Sequence, residues 1–217
     1  MKLLISKTIA LILSGLVAVG TAKAENLNFS FGADATTNYI SKGFTQTENR
    51  PAFQPYMEVA YGPAYVTMWG SNARFGGVDD VELDVGIGFR PDIELIDLDI
   101  GFVRYFYAKD KANYGEVFVK ASYELTDTTR VGLSYWREIY SQYNTFYLSG
   151  SIAELPWGLT LSGGVGSDFG SRNLSQDAIY GDIGLSKSLS DNFSIDLRGN
   201  YSAIEGSVLT FRLSLFN

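Results

Sequence analysis

The chain has 217 residues and a formal net charge of −7, and it contains neither cysteine nor histidine. The missing cysteine excludes disulfides, a cysteine-linked lipid anchor and thiolate chemistry, and the missing histidine removes the usual general base near neutral pH and the commonest metal ligand. The acidic balance disfavours nucleic acid as a partner, because a negatively charged surface repels the phosphate backbone.

The N-terminus has the features of a secretory signal peptide. Two lysines accompany an apolar run at residues 9–19, and the small-x-small pattern AKA stands directly before Glu25. An apolar run of this length is too short to span a bilayer as a helix. We therefore predict a signal peptide over residues 1–24 and one domain, an outer-membrane β-barrel, over residues 25–217.

The clearest pattern in the chain is an alternation of apolar and acidic or glycine residues between positions 81 and 107. The apolar positions are Val81, Leu83, Val85, Ile87, Phe89, Ile96, Leu98, Ile100 and Phe102. A period of two places these side chains on one face of a β-hairpin and the carboxylates and glycines on the other. In a soluble sandwich the apolar face would meet a second sheet. In an outer-membrane barrel it would meet lipid, while the acidic face would line a wet interior.

The rest of the chain favours the barrel. Similar alternation predicts about twelve strands, an even number, from Leu27 to Phe216. The short connections fall at residues 62–63, 90–95, 126–129, 154–158 and 190–192, and the other connections tend to be longer and more polar. Short turns on one side and longer loops on the other are typical of a transmembrane barrel with periplasmic termini. We predict an all-β, antiparallel up-and-down barrel in the outer membrane of a Gram-negative bacterium.

The last strand resembles the assembly signal of outer-membrane barrels. Leu209, Phe211, Leu213 and Leu215 are apolar in alternation. The signal normally ends on an aromatic residue in the apolar phase, whereas here Phe216 lies out of phase and Asn217 takes that position. The expected partners are the barrel-assembly machinery, outer-membrane lipid and lipopolysaccharide, with a small cationic or neutral solute as a further possibility.

Several segments together resemble the Gcw_chp family of proteobacterial conserved hypothetical proteins. These are NYISKGFTQT at residues 38–47, PAFQ at residues 51–54, MWGSN at residues 68–72 and the acidic alternation of Glu82 and Asp84. They cover the first half of the chain, and Lys42 stands where the family is expected to have Arg. The resemblance implies an outer-membrane barrel, and it supplies no activity and no site residues.

Charged residues in the polar phase are the candidates for a functional lumen. The acidic candidates are Glu82, Asp84, Asp97, Asp99, Asp34, Glu58, Glu116, Asp182 and Asp196, with Glu124 in the same phase, and the basic candidates are Lys120, Arg198 and Arg212. If the hairpin turns near residues 92–93, Asp84 lies opposite Gly101 and Asp99 lies opposite Gly86. The acidic surplus predicts a negative potential in the lumen.

Two features have alternative interpretations. Trp136, Tyr140, Tyr143, Phe146 and Tyr147 surround one predicted outer loop, and an aromatic girdle at the membrane surface is favoured over a sugar-stacking surface. Strict alternation points Arg104 towards lipid near the outer end of its strand, where lipopolysaccharide phosphates are potential partners. A bulge at Gly101 would instead turn Arg104 inwards.

An enzyme is disfavoured, because the outer-membrane hydrolases and acyltransferases rely on histidine, and we predict no cofactor and no metal. The sequence favours a small channel for cations or small solutes with an acidic lumen. The alternative is a structural or binding protein of the outer membrane whose lumen is filled by side chains. Strand number does not decide between them, since twelve strands lie between filled eight-stranded barrels and open porins.

Overall fold

A computed structural model describes residues 27–109, 113–170 and 178–217. The predicted signal peptide and its cleavage site lie outside these residues. The strands are β1 Leu27–Thr36, β2 Ile40–Ser41, β3 Phe44–Thr45, β4 Ala52–Tyr61, β5 Ala64–Phe75, β6 Val78–Phe89, β7 Asp97–Tyr107, β8 Tyr114–Thr126, β9 Thr129–Glu138, β10 Asn144–Leu155, β11 Leu159–Phe169, β12 Ala178–Ser190, β13 Phe193–Ser202 and β14 Gly206–Phe216, and Pro156–Gly158 forms a 3₁₀ turn.

Twelve of the strands form one closed antiparallel barrel, in which sequence neighbours pair with each other and β1 pairs with both β4 and β14. Closure leaves no unpaired sheet edge, which the interior of a bilayer would not tolerate. The two remaining strands, β2 and β3, form a small hairpin within the connection between β1 and β4. The predicted up-and-down barrel of twelve strands is confirmed. Within the described ranges, no helix is long and apolar enough to cross a membrane.

Side-chain burial is the reverse of that in a soluble protein. Phe31 and Ile183 on the outer face are 53% and 62% exposed, whereas Glu82 and Asp196 on the inner face are each 2% exposed. Large apolar side chains are stable in contact with lipid, and charged side chains are buried only where they are paired or hydrogen-bonded. The apolar face therefore faces the membrane, and the soluble sandwich is excluded.

The two ends of the barrel differ in their connections. The end near Leu27 carries the connections 62–63, 90–96, 127–128, 156–158 and 191–192, and the other end carries 37–51, 76–77, 108–113, 139–143, 170–177 and 203–205. The longest connection belongs to the second set, although that set also includes a two-residue hairpin turn. Because periplasmic turns are short and extracellular loops are longer, we assign the first end to the periplasm.

The predicted register of the β6–β7 hairpin is wrong. Asp84 lies opposite Tyr105 rather than Gly101, and Gly86 lies opposite Val103 rather than Asp99. The chain leaves the pairing after Phe89, and the backbone N–H of Arg90 donates a hydrogen bond to the Pro63 carbonyl, 2.7 Å away. All of residues 90–96 therefore belong to the turn. The displacement is four residues, an even number, so each side chain keeps its predicted face.

Inward glycines allow tyrosines to lie flat against the barrel wall. A Cβ at Gly164 would collide with the ring of Tyr147, and one at Gly166 would collide with the ring of Tyr180. The glycine-rich stretch on β11 therefore makes room for aromatic side chains in the lumen.

At the C-terminus, the Asn217 amide accepts a hydrogen bond from the Phe31 N–H at 2.8 Å and donates one to the Phe29 carbonyl at 3.1 Å.

Candidate functional site

One group of paired charges in the lumen is centred on Arg90, at the start of the turn between β6 and β7. Its guanidinium donates to both carboxylate oxygens of Glu58 at 2.7 and 2.9 Å and lies 3.5 Å from the Asp99 carboxylate. The guanidinium also stacks on the Tyr65 ring, 3.8 Å from its centroid, and the Tyr65 hydroxyl donates to Asp99 at 2.7 Å. The two acids thus share one cation, which strand alternation does not reveal, and this cation offsets half of their charge.

Two further arginines each bind a pair of acids in the same way. Arg130 on β9 bonds Asp97 and Glu124, which joins three neighbouring strands near the periplasmic end. Arg198 on β13 bonds Asp182 and Asp196.

The other two predicted bases are also placed near predicted acids. Arg212 on β14 lies 3.8 Å from the Asp34 carboxylate. Lys120 on β8 lies opposite Asp99 in the sheet, with its ammonium 4.6 Å from the Phe118 ring centroid and 5.6 Å from that of Trp136. Arginines and carboxylates therefore alternate through the middle and periplasmic half of the barrel.

The extracellular half is different, because its inward acids have few cationic neighbours. Glu82 accepts a hydrogen bond from the Tyr107 hydroxyl at 2.7 Å, and its second oxygen has no hydrogen-bond partner among the described residues. Asp84, two residues further along β6, also has one oxygen without a partner in this part of the chain. Tyr39 lies close enough to interact electrostatically with both carboxylates. Two inward carboxyl groups at this end of the lumen are therefore without a cationic partner among the described residues.

The first connection, residues 37–51, is called loop L1, and it folds across the extracellular mouth. Its Tyr39 ring packs edge-on against Trp69 on β5, with centroids 5.3 Å apart. At the rim, Glu48 accepts a hydrogen bond from the Gly77 N–H at 2.8 Å, which lowers the pKa of the Glu48 carboxyl. On another side, the Thr45 N–H donates to Glu205, beyond the end of β13, at 2.9 Å.

The tip of L1 reaches the opposite wall. The Lys42 ammonium forms an ion pair with Glu116 on β8, which is five strands from β1 around one side of the barrel and seven around the other. Gly43 touches Tyr180 on β12 so closely that a Cβ there would lie 2.5 Å from the tyrosine Cβ. Glu116 and Glu82 are only 1% and 2% exposed, so L1 and the lumen side chains shield them from water in this conformation.

The charge count in the lumen differs from the one expected. The inward cations of the described residues are Lys42, Arg90, Lys120, Arg130, Arg198 and Arg212, and the inward acids include Asp80, Glu138 and Asp168 besides the ten expected from sequence. Acids still outnumber cations, and the excess is concentrated at the extracellular end. Arg130 was detectable from its phase on β9, whereas Arg90 and Lys42 lie in connections, where alternation gives no signal.

The girdle interpretation holds for only part of the aromatic cluster. Tyr140 and Phe146 face outwards and are 66% and 43% exposed. Trp136 lies against Lys120 in the lumen, and Tyr147 is 5% exposed and donates its hydroxyl to Asp182. Inward placement of these side chains means that they line the lumen and do not belong to the membrane-surface belt.

Arg104 has no bulge beside it, since β7 pairs with both neighbours without a register shift. Its guanidinium stays on the outer face and donates to the Tyr140 hydroxyl at 3.0 Å.

Among the described residues, no group of three or more carboxylates has the arrangement of a metal site.

A family comparison matches residues 21–210 to "Bacterial protein of unknown function (Gcw_chp)". The chain belongs to the Gcw_chp family. The resemblance of the L1 motif and its neighbouring segments is thereby confirmed, and in this Gcw_chp protein that motif is the loop that crosses the mouth of the barrel. A search of curated proteins found no match.

Solved structures similar to the Gcw_chp chain are outer-membrane porins and channels. The KdgM porin has a TM-score of 0.64 at 10% identity, with 86% of this chain and 97% of that chain covered. The NanC porin has a TM-score of 0.53 at 13% identity, with 88% and 98% covered. The COG4313 outer membrane channel from Pseudomonas putida F1 has a TM-score of 0.52 at 13% identity, with 93% and 99% covered. These similarities show the fold, which is that of an outer-membrane barrel.

Proposed function

We propose that this protein is a porin-like channel of the outer membrane that passes small cations in preference to anions. In the conformation described here, loop L1 closes its extracellular mouth. The observation that carries the proposal is the uneven distribution of lumen charge. Each predicted acid of the middle and periplasmic half lies beside an arginine that offsets part of its charge, whereas Glu82 and Asp84 have no cationic partner among the described residues beneath L1.

A narrow lumen with low-dielectric walls strengthens the effect of such charge. Field lines are focused along the lumen, which raises the local cation concentration and lowers that of anions. The preference for cations over anions is therefore determined at the extracellular mouth, where Glu82 and Asp84 have no cationic partner within the described part of the chain. The arginines further down offset only part of the acidic charge, so a cation that follows this path meets no net positive barrier.

The same charge pattern argues against a large acidic solute. One solved structure of a similar barrel is described as the KdgM porin in complex with disordered oligogalacturonate, which is a polyanion. A polyanion approaching the present barrel would meet Glu82, Asp84 and Glu116 directly beneath L1. Like charges at this spacing disfavour entry, so the proposed solute is a cation or a small neutral molecule.

The proposal is tested by recording from purified protein in planar bilayers under a KCl gradient. The reversal potential should show a preference for K⁺ over Cl⁻ that shrinks as salt screens the carboxylates. The double variant Glu82→Gln/Asp84→Asn should move the permeability ratio towards one, and adding Asp97→Asn and Asp99→Asn should move it further. A matched control, Asp127→Asn/Asp191→Asn, removes two exposed carboxylates from periplasmic turns and should leave the ratio nearly unchanged.

A clear anion preference would overturn the proposal. The alternative, a structural or binding protein with a closed lumen, is favoured by a specific observation, the almost complete burial of Glu82 and Glu116. It predicts that correctly folded protein produces no current at all. Folding is verified separately, because an intact barrel in detergent shows a β-rich circular dichroism spectrum and migrates anomalously on an unboiled gel.

A further inference from the structure

The hairpin β2–β3 at the tip of L1 holds a lysine in a costly backbone conformation. Lys42 and Gly43 are its two central residues, and their φ angles are +49° and +81°. Two-residue hairpin turns with positive φ at both positions favour Asn or Gly at the first, because a longer L-side chain is sterically disfavoured there. Turn geometry therefore does not explain a lysine at this position. Its side chain offers a better explanation.

The Lys42 ammonium lies in a pocket of carboxylates and aromatic rings from four separate elements. Glu116 on β8 forms the ion pair, and its second oxygen accepts a hydrogen bond from Tyr105 at 2.9 Å. The Tyr143 ring, in the loop after β9, lies 5.5 Å from the ammonium. Asp168 on β11 interacts with it electrostatically. We call these four residues, Glu116, Tyr105, Tyr143 and Asp168, the ammonium pocket.

Asp168 shows that the pocket has unused capacity for a cation. It is 0% exposed, and its Oδ1 accepts a hydrogen bond from Thr145 at 2.6 Å. The Tyr143 hydroxyl and the Lys42 ammonium are neighbouring donors, but neither makes a hydrogen bond of good geometry to its Oδ2. A buried carboxylate oxygen without a donor is unfavourable unless a cation or donor compensates it. Burial, followed by the charge of Asp168, also raises the pKa of the Tyr143 hydroxyl, so the ring beside the ammonium stays neutral.

The pocket suits a primary ammonium better than a metal ion or a guanidinium. Three N–H donors can be shared among two carboxylates, while an aromatic face stabilises the positive charge. The described acids do not form a metal cluster. A planar guanidinium prefers bidentate contact with one carboxylate, as Arg90 makes with Glu58 elsewhere in this barrel.

We propose that Lys42 is a tethered substitute for the solute, and that primary alkylammonium ions bind in the ammonium pocket when loop L1 withdraws. The inference rests on the proposed function and specifies its substrate class. A permeating alkylammonium would replace the Lys42 ammonium at Glu116 and Asp168, and its alkyl chain would lie against Tyr143. Loop closure and solute binding are then alternatives at a single site.

The test measures binding by calorimetry on the full chain in detergent, so it does not depend on conduction. Lys42→Ala removes three carbons and the ammonium, and n-propylammonium replaces those atoms. K42A should bind n-propylammonium saturably, and wild type should bind it at least about tenfold more weakly, because its own ammonium fills the pocket. K42A/E116Q should lose the binding. The matched control K109A removes a rim lysine whose ammonium donates a hydrogen bond to the Asp79 backbone carbonyl at 2.7 Å, and it should bind no more than wild type.

Neutral and fully substituted probes separate this inference from non-specific binding. 1-Propanol has the same length without the charge, and tetramethylammonium has the charge without N–H donors, so both should bind K42A weakly. Folded K42A that binds no n-propylammonium, or binds 1-propanol equally well, would overturn the inference. If K42A does not fold, K42M keeps the aliphatic contacts and is tested with NH₄⁺, where absence of binding has the same meaning. If folded protein gives no current in the bilayer but K42A binds n-propylammonium specifically, the channel function is refuted and the ammonium pocket is supported.

Discussion

Replacing Arg90 should destabilise the barrel strongly, because two carboxylates inside the lumen depend on it. The side chains of Arg90 and Asp99 are 18% and 12% exposed, and Glu58 is equally shielded at 12%. Removing one partner of a buried ion pair leaves an uncompensated charge and typically costs about 3–5 kcal/mol. For Arg90→Met we expect a loss of about 3 kcal/mol, which is roughly a hundredfold change in the unfolding equilibrium.

The assay is guanidinium-induced unfolding in detergent micelles, followed by tryptophan fluorescence. Arg74→Met is the matched control. The Arg74 side chain is 17% exposed and also contacts two carboxylates, but these belong to Glu48 and Asp79 at the solvated rim and are 38% and 75% exposed. Exposed carboxylates remain hydrated after the cation is lost, so R74M should lose clearly less stability than R90M.

A charge-balanced variant separates buried charge from lost packing. In Glu58→Gln/Arg90→Met/Asp99→Asn, the lumen loses all three charges together, and most of the stability lost in R90M should return. If R90M unfolds at the same denaturant concentration as R74M, or if the triple variant is no more stable than R90M, the burial argument is refuted.

Two further predictions concern packing and processing. In Gly88→Ala, the new Cβ would overlap the Tyr65 ring, so the variant should lose about 1–3 kcal/mol in the same unfolding assay. The control Gly70→Ala, whose Cβ would lie 3.4 Å from the Glu82 backbone carbonyl oxygen, should be nearly neutral, and equal losses would contradict this account. For processing, we predict that intact-mass measurement of protein from the outer membrane gives a chain beginning at Glu25. A retained N-terminal segment would contradict the signal-peptide prediction.

The alternation in the sequence was sufficient to predict the barrel and the face of most strand residues. A strand has a period of two whatever its partner, so the inward phase of Asp84 or Arg198 does not depend on knowing the register. The β6–β7 pairing shows where this information ends. Its register was displaced by four residues because the pairing between β6 and β7 begins at Phe89 and Ile100, and residues 97–99 pair with β8 alone. Alternation does not report such an offset.

The charges contributed by connections could not be predicted in the same way. Arg90 follows the last residue of β6, and Lys42 lies in a loop, so neither has a strand phase. Their positions depend on tertiary contacts with Glu58 and Glu116, residues that are distant in sequence. The expected surplus of acids was therefore too large in the periplasmic half, where arginines compensate them.

Selectivity in such a barrel is separable from its architecture. Barrel closure depends on backbone pairing, and contact with lipid depends on apolar outward residues. Many sequences with apolar alternation meet both requirements. A barrel with the fold of the KdgM porin but only 10% identity can therefore carry different charges in its lumen. In this chain, Arg90 and Arg198 each bind two acids in the lower lumen, whereas Glu82 and Asp84 have no cationic partner among the described residues. The loop that crosses the mouth supplies, through Lys42, the cation for a nearby acid, Glu116. Under the proposed function, withdrawal of L1 would expose these carboxylates, so opening and selectivity would depend on the same contact.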